Sequence, residues 1–214
     1  LSGCAKVECP TEPVTPGQGE EPAAPTEPEL TPEEIAEQER LAAEKAREER
    51  LQGLLDSMTL EEKVGQLFFV RCPEENAVED ISTYHLGGYL LFGRDYKDGD
   101  IWLTRDQFTQ KLQSYQDAAS IPLFIGSDEE GGTVTRASRN PNLFSEPFKS
   151  PQAIYSTGGM EALAQDALDK SQSLLDLGIN VNFAPVCDVS TDPNDFIYDR
   201  TLGQDVETTA DYIT

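Results

Sequence analysis

The stretch Pro122-Leu-Phe-Ile-Gly126-Ser-Asp128-Glu-Glu130-Gly-Gly132-Thr-Val-Thr-Arg136 decides the fold class. It opens on a short run that is apolar on both sides, the pattern of a strand covered on both faces in a parallel sheet. It leaves that run through three acidic residues and a pair of glycines. Adjacent glycines admit positive φ and let backbone approach a ligand closely. Asp128 stands at the strand end and Arg136 follows the turn. A carboxylate and a planar guanidinium held together can grip hydroxyl groups through charge-assisted hydrogen bonds. The same two residues would also serve a surface turn carrying a local ion pair.

Outward from this stretch the same alternation repeats. Strands are expected at Leu67–Val70, Gly88–Phe92, Pro122–Gly126 and Val181–Ala184, with helices between them at Glu75–Tyr84, Thr104–Ala119 and Gly159–Leu177. Apolar strands separated by helices predict a parallel sheet, either doubly wound or closed as a β/α barrel. No Gly-x-Gly-x-x-Gly follows a strand, so a dinucleotide fold has no support. The charged segments after strands three and four are long and irregular, which is where barrels keep their chemistry. A complete barrel takes about 250 residues, and residues 58–214 hold about four βα units. The reading is therefore α/β, a partial TIM (β/α)8 barrel. Ala210-Asp-Tyr-Ile-Thr214 reads as the opening of another helix without a stop signal, so a C-terminally truncated chain is expected.

The first third has another character. Six prolines fall among Thr, Glu, Gly and Ala in residues 5–31, a composition with nothing to bury, so residues 1–31 are expected to form a disordered linker. Thr31, Pro32 and Glu34 form a helix-start signal, and residues 32–57 predict a charged stalk helix that docks near its end through Leu51, Leu54 and Leu55. Leu1-Ser2-Gly3-Cys4 resembles the lipobox of bacterial lipoprotein signal peptides. That resemblance implies lipidation at Cys4 and an extracytoplasmic, membrane-anchored protein whose contact with the membrane runs only through the lipid. No apolar run approaches the ~20 residues that span a bilayer. The 16 basic residues against 40 acidic ones leave a net charge of −24; this field repels phosphate backbones and argues against a nucleic-acid partner. Cys72 and Cys187 fit no zinc or disulfide spacing and read as buried free thiols.

Four ordered blocks carry a family resemblance. Asp128 to Arg136 resembles the Asp-x-Glu-Gly-Gly-x-Val-x-Arg signature of glycoside hydrolase family 3, in its β-N-acetylhexosaminidase branch. Leu86-Gly-Gly-Tyr-Leu-Leu-Phe92-Gly-Arg94 is similar to the branch's Gly-Gly-Val-Ile-Leu-Phe-x-Arg strand. Leu177 to Val189 resembles Gly-Ile-Asn-x-x-Phe-Ala-Pro-Val-x-Asp-Val nearly throughout, and Asp199-Arg200-Thr-Leu-Gly-Gln-Asp205 is similar to Asn-Arg-Ser-Phe-Gly-x-Asp. The resemblance implies that Asp128 contacts sugar hydroxyls and that Arg136 and Arg200 hold the sugar. It also implies that Asp188 belongs to the substrate site, where it braces the loops. Departures are Glu129 where Gln is frequent, Thr133 where Arg is frequent, and Asp199 and Leu202 in place of Asn and Phe.

What the resemblance implies about catalysis is an absence. The branch's Lys-His motif, His-Asp proton shuttle and nucleophilic Asp have no counterpart here, so no catalytic residue is assigned and those groups are expected beyond Thr214. His85, the one histidine, precedes strand two and reads as structural. The loop Asp188–Asp199 has the oxygen spacing of a calcium loop. It carries Pro193 where that loop needs Gly, and Asp199 where it needs a bidentate Glu, so no metal is assigned. No cofactor is called for. The expectation is a retaining exo-glycosidase acting on terminal β-linked N-acetylglucosamine, with this chain supplying sugar-binding residues and itself inactive. The alternatives are a β-glucosidase of the same family and a non-catalytic glycan-binding lipoprotein.

Overall fold

The computed structural model describes residues 31–214; the expectations for Cys4, Cys9 and the linker over residues 1–30 lie outside them. The chain divides into two units after Gln52. Helix α1 (Pro32–Ser57) opens on the expected capping box, with the Thr31 N–H donating to Glu34 at 2.8 Å and the Glu34 N–H to the Thr31 hydroxyl at 3.2 Å. None of its residues is buried.

Residues 53–214 hold the sheet. In chain order the elements are α2 (Leu60–Gln66), β1 (Phe69–Arg71), α3 (Ala77–Tyr84), β2 (Gly88–Leu91), β3 (Lys97–Asp98), β4 (Ile101–Trp102), α4 (Arg105–Ala118), β5 (Phe124–Ser127), α5 (Pro151–Leu175), β6 (Val181–Asn182) and α6 (Val206–Ile213). Strands β1, β2, β5 and β6 form one sheet in that order, every pair parallel. Each expected strand is present within about two residues of its predicted ends. The hairpin β3–β4 was not expected, although its two-residue Gly99-Asp100 turn, with Gly99 at φ 58°, is a recognisable hairpin signal. Helix α5 starts earlier than expected because Ser150 caps it and Pro151 fills its first position; Gly159, at φ 62°, kinks the helix rather than starting it.

The register shows which side chains share a face. Val70, Tyr89 and Ile125 lie in one row, with Leu91, Ser127 and Asn182 in the next on the same side. Tyr89, Leu91 and Ile125 have no exposed surface, packed in the cluster that holds Ile81 of α3, Phe108, Leu112 and Tyr115 of α4, and Leu174 of α5, and the equally buried Ser127 accepts the Tyr96 hydroxyl at 2.9 Å. The opposite face carries Phe69, Gly88 and Phe124 in one row, and Arg71, Leu90, Gly126 and Val181 in the next. That face is open, with Phe124 60% and Phe183 46% exposed. Helices therefore cover one face of the described sheet and not both.

The open face is concave. Phe69, on one edge strand, stacks on Phe183, just past the other edge strand, with ring centroids 5.3 Å apart. Gly88 and Gly126 lie on the two strands between, and a Cβ on either would enter the space of the Phe69 ring. Curvature of this kind is the geometry of a barrel wall, here four of its strands.

At Gly88 a Cβ would also meet the Phe124 carbonyl oxygen, a backbone atom that cannot swing away. Gly88→Ala is therefore expected to lower stability by about 1–3 kcal/mol through overpacking. A shift of the urea midpoint at unchanged slope would report it; an unshifted midpoint would contradict this account of the curvature.

Candidate functional site

The carboxyl ends of the parallel strands gather the polar residues. Strand β5 is held in place by two asparagines of the following segment. Asn180 accepts the Ile125 N–H at 2.7 Å and donates to the Leu123 carbonyl at 3.1 Å; Asn182 accepts the Glu129 N–H at 2.9 Å and donates to the Glu129 carbonyl at 3.2 Å. Each side chain thus satisfies a donor and an acceptor of the neighbouring backbone. The strand end from which Asp128 projects is thereby fixed. By the alternation of Phe124 and Gly126, Asp128 belongs to the concave face.

After Asp128 the chain makes a tight excursion. Gly131 and Gly132 take φ of 94° and 65°, values costly for residues with a Cβ. The Gly131 N–H donates to Val134 at 3.1 Å and the Gly132 N–H to Phe148 at 2.9 Å, so the turn lies against the segment leading to α5. The return leg brings Arg136 back beside Asp128, with Nη2 to Oδ2 at 3.4 Å and both side chains about three-quarters buried. The Arg136 guanidinium also lies 5.7 Å from the centre of the Phe92 ring, and Arg71 lies 4.7 Å from it. Nε of Arg136 is buried without a hydrogen-bond partner. A buried, unsatisfied donor on a charged group is costly, and this one stands beside the concave face.

Arg200 arrives from a different part of the chain. It sits in a 3₁₀ turn (Tyr198–Arg200) steadied by the Gln152 side chain, which donates to the Tyr198 carbonyl at 2.6 Å. Its guanidinium grips Glu130 through two hydrogen bonds, Nε at 2.9 Å and Nη2 at 2.7 Å. Glu130 is 94% buried on its side chain, while Arg200 keeps 37% of its own exposed. The Glu130 hydrogen bond and charge, with Asp188 and Asp128 nearby, hold the Arg200 proton more tightly than usual, against a smaller opposing effect of burial. Lys170 of α5 supports the same corner, with Nζ 3.0 Å from Asp166 and 3.5 Å from the Glu130 carbonyl.

Asp128, Arg136 and Arg200 thus come together at one end of the sheet. Asp188 contributes charge to that neighbourhood but stands exposed, six residues past β6. It forms no hydrogen bond or ion pair among the described residues, so the loop bracing expected of it is not seen. Thr201 holds that loop instead, its hydroxyl 3.5 Å from the Ser190 carbonyl. Cys187 is exposed, against the expectation of burial, and Cys72 is buried. His85 caps α3 and lies at the opposite end of the strands, its carbonyl accepting the Gln66 amide at 2.9 Å. Sequence reasoning missed Glu129, Glu130, Phe92 and Arg71 as parts of this site. The two glutamates stand inside the quoted motif, whereas their partners emerge only on folding.

Known proteins share this architecture. The family profile described as glycosyl hydrolase family 3 N terminal domain matches residues 59–214. The chain is 36% identical over 118 residues to beta-hexosaminidase A of Pseudoalteromonas piscicida, covering 54% of this chain and 19% of that protein. It is 29% identical over 153 residues to beta-hexosaminidase LpqI of Mycobacterium tuberculosis, covering 71% and 37%. Among solved structures, a glycoside hydrolase family 3 beta-N-acetylglucosaminidase from a Paenibacillus species superposes with a TM-score of 0.61 at 27% identity, over 73% of this chain and 30% of that one. The chain spans less than two-fifths of the length of these curated relatives.

The Arg200–Glu130 fork carries its own test. An ammonium cannot donate in parallel to both carboxylate oxygens, so Arg200→Lys should cost about 1–2 kcal/mol. Arg200→Ala leaves a buried carboxylate unpaired and should cost somewhat more, held below the ~3–5 kcal/mol of a fully buried pair by the exposure of the arginine. Thermal midpoints of the two variants measure both, and equal stability of all three proteins would remove the fork from the account of the site.

Proposed function

The chain belongs to glycosyl hydrolase family 3 through its N-terminal domain, and from that premise we propose that Asp128, Arg136 and Arg200 grip the terminal sugar of a β-linked N-acetylglucosaminide in a retaining exo-β-N-acetylhexosaminidase. The observation that carries the reading is the convergence of Asp128, Arg136 and Arg200 at the strand ends, with Arg136 Nη2 3.4 Å from Asp128 Oδ2. Arg136 keeps 22% and Arg200 37% of its side chain exposed, so both guanidinium groups have surface to offer a ligand oxygen. Asp128 then accepts from sugar hydroxyls, and the two guanidinium groups donate to sugar oxygens. Phe92, covered by Arg71 and Arg136, adds an apolar surface beside them. The names of the relatives, beta-hexosaminidases and a beta-N-acetylglucosaminidase, support the choice of sugar.

Retaining hydrolysis uses a nucleophile and an acid/base group about 5 Å apart on the two sides of the glycosidic bond. This reading assigns binding and orientation to residues 58–214, not bond cleavage. Orientation is a substantial share of catalysis, since holding reactants in place can supply several kcal/mol of the barrier. The glycan is its partner, nucleic acid is not, and the protein is placed outside the cytoplasm on a lipid attached to Cys4. That last part rests on Leu1-Ser2-Gly3-Cys4 and the proline-rich run behind it.

Two measurements decide these points. The intact gene product should hydrolyse a chromogenic N-acetylglucosaminide in preference to the glucoside, and Asp128→Ala should lower kcat/KM by about tenfold to a hundredfold. Turnover of the glucoside alone would move the protein to the β-glucosidase reading, and sugar binding without any turnover would favour a non-catalytic glycan binder. Cells expressing the gene should incorporate labelled fatty acid into the protein, and Cys4→Ser should abolish the label. Undiminished label in that variant would refute the anchor.

A further inference from the structure

The loop between Asp128 and Arg136 closes around one buried anion. Glu129 has no exposed surface. Its Oε2 accepts three successive backbone N–H groups, from Arg136 at 2.9 Å, Ala137 at 2.7 Å and Ser138 at 3.4 Å. Its Oε1 accepts the Ser138 hydroxyl. The same hydroxyl oxygen accepts the Phe148 N–H at 3.2 Å, which ties the group to the segment leading into α5. No Lys, Arg or His pairs with Glu129 among the described residues. The carboxylate is held by uncharged donors alone, in the manner of an anion in a backbone nest.

A carboxylate removed from water persists only when its oxygens are well satisfied. Here the donors that satisfy it belong to the return leg of the loop, beginning with the N–H of Arg136 itself. The outgoing leg is fixed separately, because Asn182 clamps the N–H and the carbonyl of Glu129. Asp128 precedes that clamp by one residue. One side chain therefore ties the leg that carries Asp128 to the leg that carries Arg136, in addition to the backbone bond from the Glu130 N–H to the Val134 carbonyl at 3.1 Å.

We infer that Glu129 is the positioning residue of the sugar grip, setting the separation of Asp128 and Arg136 through its hydrogen bonds to residues 136–138. The inference rests on the reading of Asp128 and Arg136 as sugar ligands. The identity of the residue matters for a chemical reason. Four donors converge on Glu129 and no acceptor faces its carboxylate, so an anion suits the nest better than an amide. A glutamine would keep one oxygen for the backbone N–H groups and turn its NH2 toward Ser138. The hydroxyl can rotate to accept that NH2, so Glu129→Gln should preserve the arrangement in weakened form. Glu129→Ala removes it.

The experiment uses the whole chain with N-acetylglucosamine as probe, and reads amide hydrogen exchange alongside affinity. Relative to the core amide of Ile125, the amides of residues 136–138 should exchange about tenfold faster or more in Glu129→Ala and about threefold faster in Glu129→Gln. The Kd for the sugar should rise in the same order. Asp128→Ala should raise the Kd without accelerating exchange at 136–138. Unchanged exchange in the Glu129 variants overturns the inference, as does faster exchange with an unchanged Kd while Asp128→Ala weakens binding. If Asp128→Ala leaves the Kd untouched, the sugar reading fails by itself, and exchange alone decides whether Glu129 sets the loop. Should Glu129→Ala not fold, Glu129→Gln decides, and an absence of acceleration there overturns the proposal.

Discussion

Two aromatic rings from opposite edges of a four-stranded sheet lie against each other, and they can do so only because the strands between them present hydrogen atoms. Phe69 and Phe183 meet over Gly88 and Gly126. Larger residues at those positions would hold the rings apart and flatten the wall. Curvature has a functional consequence, since a concave sheet directs the residues that follow its carboxyl ends toward a common point. Arg71, Phe92, Asp128 and the loop carrying Arg200 come from four different strand ends and share one neighbourhood. A flat sheet of the same order would spread those ends over nearly 15 Å at ~4.8 Å per strand.

The electrostatics of that neighbourhood run against the composition of the chain. A net charge of −24 makes an isolated carboxylate costly to bury, yet Glu129 and Glu130 are both buried within one turn. The two are stabilised by different means. Glu130 has a formal counter-charge in Arg200, whose partial exposure limits the penalty of desolvating the guanidinium. Glu129 has none and relies on backbone dipoles. The difference leaves Arg136 free of any strong internal partner, since its contact with Asp128 is long at 3.4 Å and its Nε is unpaired. The strong hydrogen bonds of the loop thus go to its own framework, and Arg136 keeps 22% of its side chain exposed beside Asp128.

The fold was legible because its signal is local. Runs such as Phe124–Ser127 and Gly88–Leu91 are apolar over the length of one strand, and Thr59 and Thr104 announce helices within three residues, whereas the Ser150 cap of α5 went unread. Arg136 and Asp128 were legible for the same reason, eight residues apart on one turn. What the sequence concealed depends on separation along the chain. Nothing near Glu130 indicates that its partner stands 70 residues away. Nothing near Asn182 shows that its amide will satisfy the backbone of Glu129, 53 residues earlier. Asp188 is a different case. Its motif suggested a brace, but β6 ends at Asn182 and leaves the carboxylate in solvent.

Local and distant determinants also divide the labour of the site. Arg136 is placed by contacts within its own loop, so its position relative to Asp128 can form as soon as residues 128–138 and β6 come together. Arg200 is placed only when the segment after β6 returns across the strand ends, because Gln152 and Glu130 must both meet it. Asp128 and Arg136 share no hydrogen bond with the 3₁₀ turn at Tyr198–Arg200 among the described residues. Two segments far apart in the chain therefore hold the cluster, residues 128–138 placing Asp128 and Arg136 and the turn after β6 placing Arg200 on Glu130.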